Sequence, residues 1–163
     1  QLIDYDEFDI VNRQKICDAA LSLMETSDPN SIILGQSKPD ISWGEMTFDG
    51  WKLIGKELVF DDQTLSESSN KYLDLLAQSQ IDPKYEGFCS CNDWNTLLKI
   101  IIECVMSGVA PFSPLIYDLQ KERIIYFHHT TSIGIYCKTK LDAELLSHTS
   151  DCQGFFAETE YNS

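Results

Sequence analysis

Three short strand-like runs follow one another closely in the second half of this 163-residue chain. They span Leu115 to Leu119, Arg123 to His129 and Ser132 to Lys138, and only a few residues separate them. Strands joined by such short turns pair antiparallel, because a parallel crossover needs about a dozen residues or more. The pattern therefore predicts an antiparallel sheet near the C-terminal end of the sequence.

A second group of strands is predicted upstream. The runs Ile41 to Phe48 and Trp51 to Ile54 flank Asp49-Gly50. Asp-Gly between strand-like runs is a strong hairpin signal, because glycine accepts the positive φ that a type I′ turn requires. A turn at Gly55-Lys56 then leads into Glu57 to Phe60, so we expect a three-stranded meander.

Helices are predicted where apolar residues recur at three- and four-residue spacing. The four segments are Asn12–Glu25, Thr64–Gln78, Cys91–Ser107 and Leu141–Ser147. The third is apolar over much of its girth and is expected to be central, with Ser90 and Asp93 forming a capping box. No repeat or linker divides the chain. We therefore predict one α+β domain over residues 1–163, with antiparallel sheets packed against about four helices.

The charge of the chain limits the classes of partner. Twelve Lys and Arg residues stand against 26 Asp and Glu residues, and the net charge is −14. Such a charge repels phosphate backbones and anionic lipid surfaces, so neither nucleic-acid nor membrane binding is expected. Solubility alone requires a net charge of only about 2–8. The excess favours a cationic protein as partner.

Acidic and aromatic residues coincide in the predicted meander. Residues 1–70 carry 14 acidic and five basic side chains. An aromatic anchor within an acidic rim is a common arrangement at binding hot spots, although each tryptophan has a place in the core as its alternative. The predicted partner-binding residues are Trp43, Glu45, Asp49, Trp51, Glu57, Asp61 and Asp62.

A cysteine- or zinc-dependent hydrolase is the alternative function. Cys89 or Cys91 with His128 or His129 would form a nucleophile pair or a zinc site, and Cys91 lies where a helix N-terminus lowers a thiol pKa. The spacing does not match the usual zinc knuckle, and adjacent strand histidines point to opposite faces. The sequence has no glycine-rich phosphate loop, Gly-x-Ser-x-Gly or His-Glu-x-x-His motif. No metal or cofactor is therefore expected.

Six cysteines bear on the cellular compartment. An even count permits disulfides in a secreted protein, but a chain of this length does not need them. The acidic start of the sequence is not a signal peptide, and no Asn-x-Ser/Thr sequon occurs. We therefore expect reduced cysteines and a cytoplasmic protein. An extracellular disulfide-bonded effector is the third possibility.

Two segments carry a resemblance to a known class of protein. They are Val109-Ala-Pro-Phe-Ser-Pro-Leu-Ile-Tyr117 and Tyr126-Phe-His-His-Thr-Thr-Ser-Ile-Gly-Ile-Tyr136. Both resemble the immunity proteins of bacterial polymorphic-toxin and contact-dependent growth inhibition systems. The resemblance implies a small cytosolic protein that binds one toxin domain, often a basic nuclease, and occludes its active site. It carries over no individual functional residue.

Overall fold

A computed structural model describes residues 5–37, 42–46, 51–54, 57–60, 65–106, 113–128 and 132–152. Across these ranges the chain forms four α-helices and six β-strands. Their order is α1 (Tyr5–Met24), β1 (Ile32–Gly35), β2 (Trp51–Ile54), β3 (Glu57–Phe60), α2 (Glu67–Gln78), α3 (Trp94–Met106), β4 (Leu115–Asp118), β5 (Arg123–His128), β6 (Ser132–Cys137) and α4 (Lys140–Cys152). The predicted α+β class is confirmed.

The main sheet has four antiparallel strands in the order β1-β4-β5-β6. Strands β4, β5 and β6 are neighbours in sequence and in space, as their short connections predicted. Strand β1 comes from far upstream and pairs with β4, so that Leu34 lies opposite Ile116. Strands β2 and β3 form a separate two-stranded sheet.

Helix α3 lies at the centre of the core. Its Leu98 and Ile102 are fully buried, and α1, α2 and β5 all contact it. On the sheet, Ile116 and Ile125 are buried on the face that completes this core. Apolar residues on most sides of α3 predicted its position in the core. A helix that is apolar on most sides must be buried on most sides.

A buried polar contact connects α1 to the sheet. Ser27, just after α1, donates a hydrogen bond of 2.5 Å to the Oδ2 atom of Asp118 at the end of β4. The backbone N–H of Lys121 donates to Oδ1 of the same carboxyl at 3.1 Å. The Lys121 ammonium then donates to the carbonyl of Leu23 at 3.0 Å. The first and third of these hydrogen bonds hold the end of α1 against the turn between β4 and β5, and the second lies within that turn.

The predicted meander is wrong in its first strand. Residues 42–46 contain the 3-10 turn Gly44–Met46. The N–H of Trp43 bonds to the carbonyl of Tyr85 at 2.9 Å, and that of Gly44 bonds to Pro83 at 2.6 Å. These donors therefore serve a different part of the chain and not a hairpin with β2. The Asp49-Gly50 turn lies outside the described residues.

Helix boundaries also differ from the prediction. Helix α3 begins at Trp94, because Asp93 and not Ser90 caps it: Oδ1 of Asp93 accepts the N–H of Thr96 at 3.1 Å. Helix α1 begins earlier than predicted, at Tyr5, and α4 continues to Cys152. Both extensions contain polar residues that weaken the apolar periodicity on which the prediction relied.

Candidate functional site

Trp43, one of the two predicted anchors, is a core residue. It is 3% exposed, and its indole N–H donates to the carbonyl of Gly87 at 2.9 Å. The hydroxyl of Tyr72 donates to the Trp43 carbonyl at 2.6 Å. Both ends of the residue are therefore satisfied inside the protein, and the core alternative accounts for Trp43.

The remaining predicted binding residues are only partly described. Glu45 is half-buried, and its carboxylate accepts the N–H of Ser42 at 2.7 Å, which occupies it within its own turn. Glu57 is exposed on β3. Trp51 pairs with Phe60 through the backbone, and its side chain is not described. The other three members of the predicted surface lie outside the described residues: Asp49, Asp61 and Asp62.

Among the described residues of the alternative function, the cysteines are not brought together with His128. Cys89 pairs with Leu34 along the free side of β1, and β5 lies beyond β1 and β4. Three strand spacings of about 4.8 Å place its backbone about 14 Å from that of Ile125. His128 is a further three residues along β5, where it is exposed. His129 lies outside the described residues.

The pKa values of Cys89 and Cys91, the two thiols of the alternative function, are raised by burial and not lowered as a nucleophile requires. Burial raises the pKa of Cys89. It also raises the pKa of Cys91, which the carboxylate of Asp93 raises further against the lowering effect of a backbone hydrogen bond. A thiol with a raised pKa is protonated and weakly nucleophilic at neutral pH. In the described part of the chain, no group of three or more His, Cys, Asp or Glu side chains could hold a metal ion.

The outer face of the main sheet carries a cluster of large side chains. Strand residues alternate between the two faces, so the neighbours of the buried Leu34, Ile116 and Ile125 point away from the core. Phe88 joins them from the segment that covers β1. We call this surface the outer aromatic face and define it as Ile33, Phe88, Tyr117, Ile124, Tyr126 and Tyr136.

The register aligns this face across all four strands. Ile33 lies opposite Tyr117, Tyr117 lies opposite Ile124, and Ile124 lies opposite Tyr136. Phe88 is 66% exposed and Tyr136 is 58% exposed, while the other members are half-buried. The outer aromatic face contains no charged residue, although the chain has a net charge of −14.

Two ring pairs and two glycines shape the outer aromatic face. Tyr126 and Tyr136 stack with ring centroids 5.4 Å apart, and Phe88 meets Tyr117 edge to face at 5.9 Å. A Cβ atom on Gly35 would lie 2.8 Å from the Phe88 ring, and one on Gly134 would overlap the Tyr126 ring. The rings therefore lie close to the sheet because glycine leaves room beneath them.

Sequence reasoning missed this face, although a signal for it was present. The predicted strands contain Tyr117, Tyr126 and Tyr136, each at a position that alternates with core residues. An alternation of aliphatic and tyrosine positions over three neighbouring strands indicates one buried and one aromatic face. The acidic residues of the predicted meander instead placed the predicted binding site within residues 43–62.

A cleft of about 540 Å³ lies at the end of α1. Asp18 and Glu25 line it together with Trp94 and several apolar side chains. Ser27 also lines it, but its hydroxyl already donates to Asp118. The carboxylate of Asp18 accepts a hydrogen bond from Gln14 at 2.8 Å. The described lining residues include no cysteine or histidine to pair with Ser27, so they do not assemble a nucleophile and base.

Among the helices of the described ranges, none is both long enough and apolar enough to cross a membrane. No protein-family model, no curated protein and no solved structure matches this chain. Function is therefore inferred from the chemistry of the surface itself.

Proposed function

We propose that this protein is an acidic binding protein that recognises a cationic protein partner and neutralises it. The observation that carries the proposal is the outer aromatic face, which is uncharged and exposes Phe88 and Tyr136 in a chain of net charge −14. Tyrosine and phenylalanine are enriched at the centres of protein interfaces, and charged residues are depleted there. The composition of this face is therefore that of an interface core.

The two exposed rings supply the energetic reason. Phe88 and Tyr136 each leave more than half of their surface in water. A fully buried aromatic side chain gains about 1.5–3 kcal/mol relative to an exposed one. Covering these rings with a partner is consequently favourable, and large aromatic anchors of this kind account for much of the affinity in measured interfaces.

The net charge supports a basic protein as the partner. A charge of −14 repels a partner with like charge and attracts a basic one. Electrostatic steering raises association rates by about 10–1,000-fold, and the effect decreases as salt rises. The outer aromatic face thus supplies contact area to the partner. The acidic residues elsewhere in the chain supply long-range attraction.

The class of the partner is proposed from the resemblance to immunity proteins. The two segments that carry it contribute Tyr117, Tyr126 and Tyr136 to the outer aromatic face. We therefore propose an immunity protein that acts in the cytoplasm and occludes the active site of a cognate toxin domain, such as a basic nuclease.

The test is co-purification with a candidate toxin domain encoded beside this protein, at low salt and with both proteins folded. The F88A/Y136A double variant is expected to weaken binding by about tenfold or more, because it removes both exposed rings. The matched control is I10A/V11A, which removes two aliphatic side chains that are each 64% exposed on α1. It should leave binding unchanged.

Two results would count against the proposal. Absence of binding by the wild-type protein would remove the function. Equal affinity of the wild type and the F88A/Y136A variant would show that binding does not use the outer aromatic face.

A further inference from the structure

We propose that the cleft at the end of α1 binds a linear aliphatic polyamine, which is a hydrocarbon chain with an ammonium group at each end. Its volume of about 540 Å³ lies within the range of small-ligand sites, about 300–1,000 Å³. Residues of α1, the buried Ile32 and Trp94 at the start of α3 line it, so it lies on the helical side of the main sheet. The outer aromatic face is on the other side, and this site is therefore independent of the proposed function.

Two carboxylates line the cleft at a defined separation. Asp18 lies on α1, and Glu25 follows its last residue, Met24. Seven residues complete nearly two helical turns and rise by about 10.5 Å, so both side chains project from the same side of α1. Two acidic groups at this distance suit a ligand that carries one cation at each end.

The cleft between the carboxylates is apolar. Leu21 lies one helical turn from each of them, and Met24 and Ile32 are buried beside it. A methylene chain is favoured against such side chains because it leaves water. Trp94 also lines the cleft, and an indole ring is the aromatic group that attracts a cation most strongly.

No cation of the described chain neutralises the cleft. Its described lining contains no lysine or arginine. Asp18 accepts a hydrogen bond from the neutral amide of Gln14 at 2.8 Å, and neither carboxylate belongs to an ion pair of the described residues. The last turn of α1 also has no basic residue, although the C-terminal end of a helix attracts cations. The negative potential at this end of α1 therefore acts on a bound ligand.

The same features select a polyamine over other ligands. An anionic ligand would be repelled by the two carboxylates and by the net charge of −14. A divalent metal ion needs several oxygen atoms at about 2.0–2.6 Å, whereas the two carboxylates rise from α1 about 10 Å apart. A lysine side chain of another protein carries one charge and would pair with only one of them.

Spermidine is the probe, because it is a flexible polyamine with an ammonium group at each end. Calorimetry at low salt is expected to show binding, and the D18N/E25Q variant is expected to weaken it by about tenfold or more. The substitutions keep the size of both side chains and remove only their charge. Because both residues are exposed, the variant should fold normally.

The matched control is D74N/E86Q. It removes the same two charges from exposed carboxylates that do not line the cleft. Its affinity for spermidine should stay within about twofold of the wild type, because exposed charges outside the cleft are screened. In the isotopically labelled wild type, spermidine should shift the indole N–H resonance of Trp94 and the amide resonances of residues 18–32.

Two further ligands test the separation of the charges. Diacetylspermidine keeps the chain but loses the ammonium group at each end, and putrescine keeps two ammonium groups on a shorter chain. Each is expected to bind about tenfold more weakly than spermidine or worse, because neither can pair with both carboxylates at once.

Absence of spermidine binding at low salt would overturn this site. Equal weakening by D18N/E25Q and D74N/E86Q would also overturn it, since it would show attraction to the charge of the whole chain alone. Resonance shifts confined to other residues would have the same consequence. None of these results bears on binding of a basic toxin domain, so the proposed function is tested separately.

Discussion

At the scale of single residues, the buried carboxyl of Asp118 joins the end of α1 to the turn between β4 and β5. It is 1% exposed and accepts hydrogen bonds from the Ser27 hydroxyl and the Lys121 N–H. A buried carboxyl is tolerated only when its oxygens are paired. The two donors come from the end of α1 and from the β4–β5 turn, so the contact fixes the helix relative to the sheet.

The S27A variant tests this contact. Loss of a hydrogen bond to a buried carboxyl should lower the free energy of unfolding by about 1.5–3 kcal/mol. The control is S22A, which alters an exposed serine near the end of α1 and should have little effect. Urea denaturation measures both. Equal stability of S27A and S22A would mean that the Ser27 contact contributes nothing.

A second residue-scale prediction concerns the cap of α3. Hydrogen bonds from the side chain and the N–H of Thr96 lower the pKa of Asp93. Because the pKa is lower in the folded state, the contribution of this carboxylate to stability is complete above its unfolded pKa, near pH 4. It is lost as the pH falls through the folded value.

The D93N variant isolates that term, because asparagine also caps helices but does not titrate in this range. Thermal unfolding of the wild type and D93N between about pH 7 and pH 3 is expected to give a Tm difference that changes below about pH 4, in the direction that disfavours the wild type. A Tm difference that is constant over the whole range would contradict the assignment.

At the scale of elements, sequence patterns predicted the sheet better than they predicted its outer surface. Strands β4, β5 and β6 agree with the predicted runs to within one residue at each end, since short turns and alternating burial are local signals. The strand predicted at residues 42–46 is wrong, because backbone N–H groups in this segment bond to residues 83 and 85. Contacts across 40 residues leave no periodic trace in a single sequence.

The difference between local signals and long-range contacts also explains why the outer aromatic face was not predicted. Local acidity directed the prediction to Trp43 and its neighbours, and Trp43 proved to be held by Gly87 and Tyr72 in the core. The outer aromatic face depends on which strands are adjacent and on the register between them. Tyr117 and Tyr136 share one row across the sheet only because β5 lies between their strands.

The glycine beneath the ring of Tyr126 provides an element-scale prediction. A methyl group at position 134 would overlap that ring, so G134A should displace it from Tyr136 and lower stability by about 1–3 kcal/mol. In the Y126A background the overlap with the Tyr126 ring is removed, and the cost of G134A should largely vanish. A double-mutant cycle by urea denaturation measures the difference, and additive costs would contradict the packing described.

At the scale of the whole molecule, the acidic residues that give the chain its charge are not part of the outer aromatic face. The net charge of −14 acts at a distance of about 8–10 Å in physiological salt, whereas the uncharged outer aromatic face acts only on contact. In the proposed function, a basic partner is attracted by the molecule as a whole and held by one face of its sheet. The predicted contribution of Glu57, Asp61 and Asp62 to this attraction stays a prediction.

The decisive measurement is the affinity of the folded protein for a candidate toxin domain encoded beside it, by calorimetry at low and high salt. We predict tight binding at about 50 mM salt, weakening by about tenfold or more at about 500 mM as screening increases. The activity of the toxin domain should be lost on binding. No heat of binding at low salt, with both proteins folded, would contradict the proposal that this chain neutralises a cationic protein.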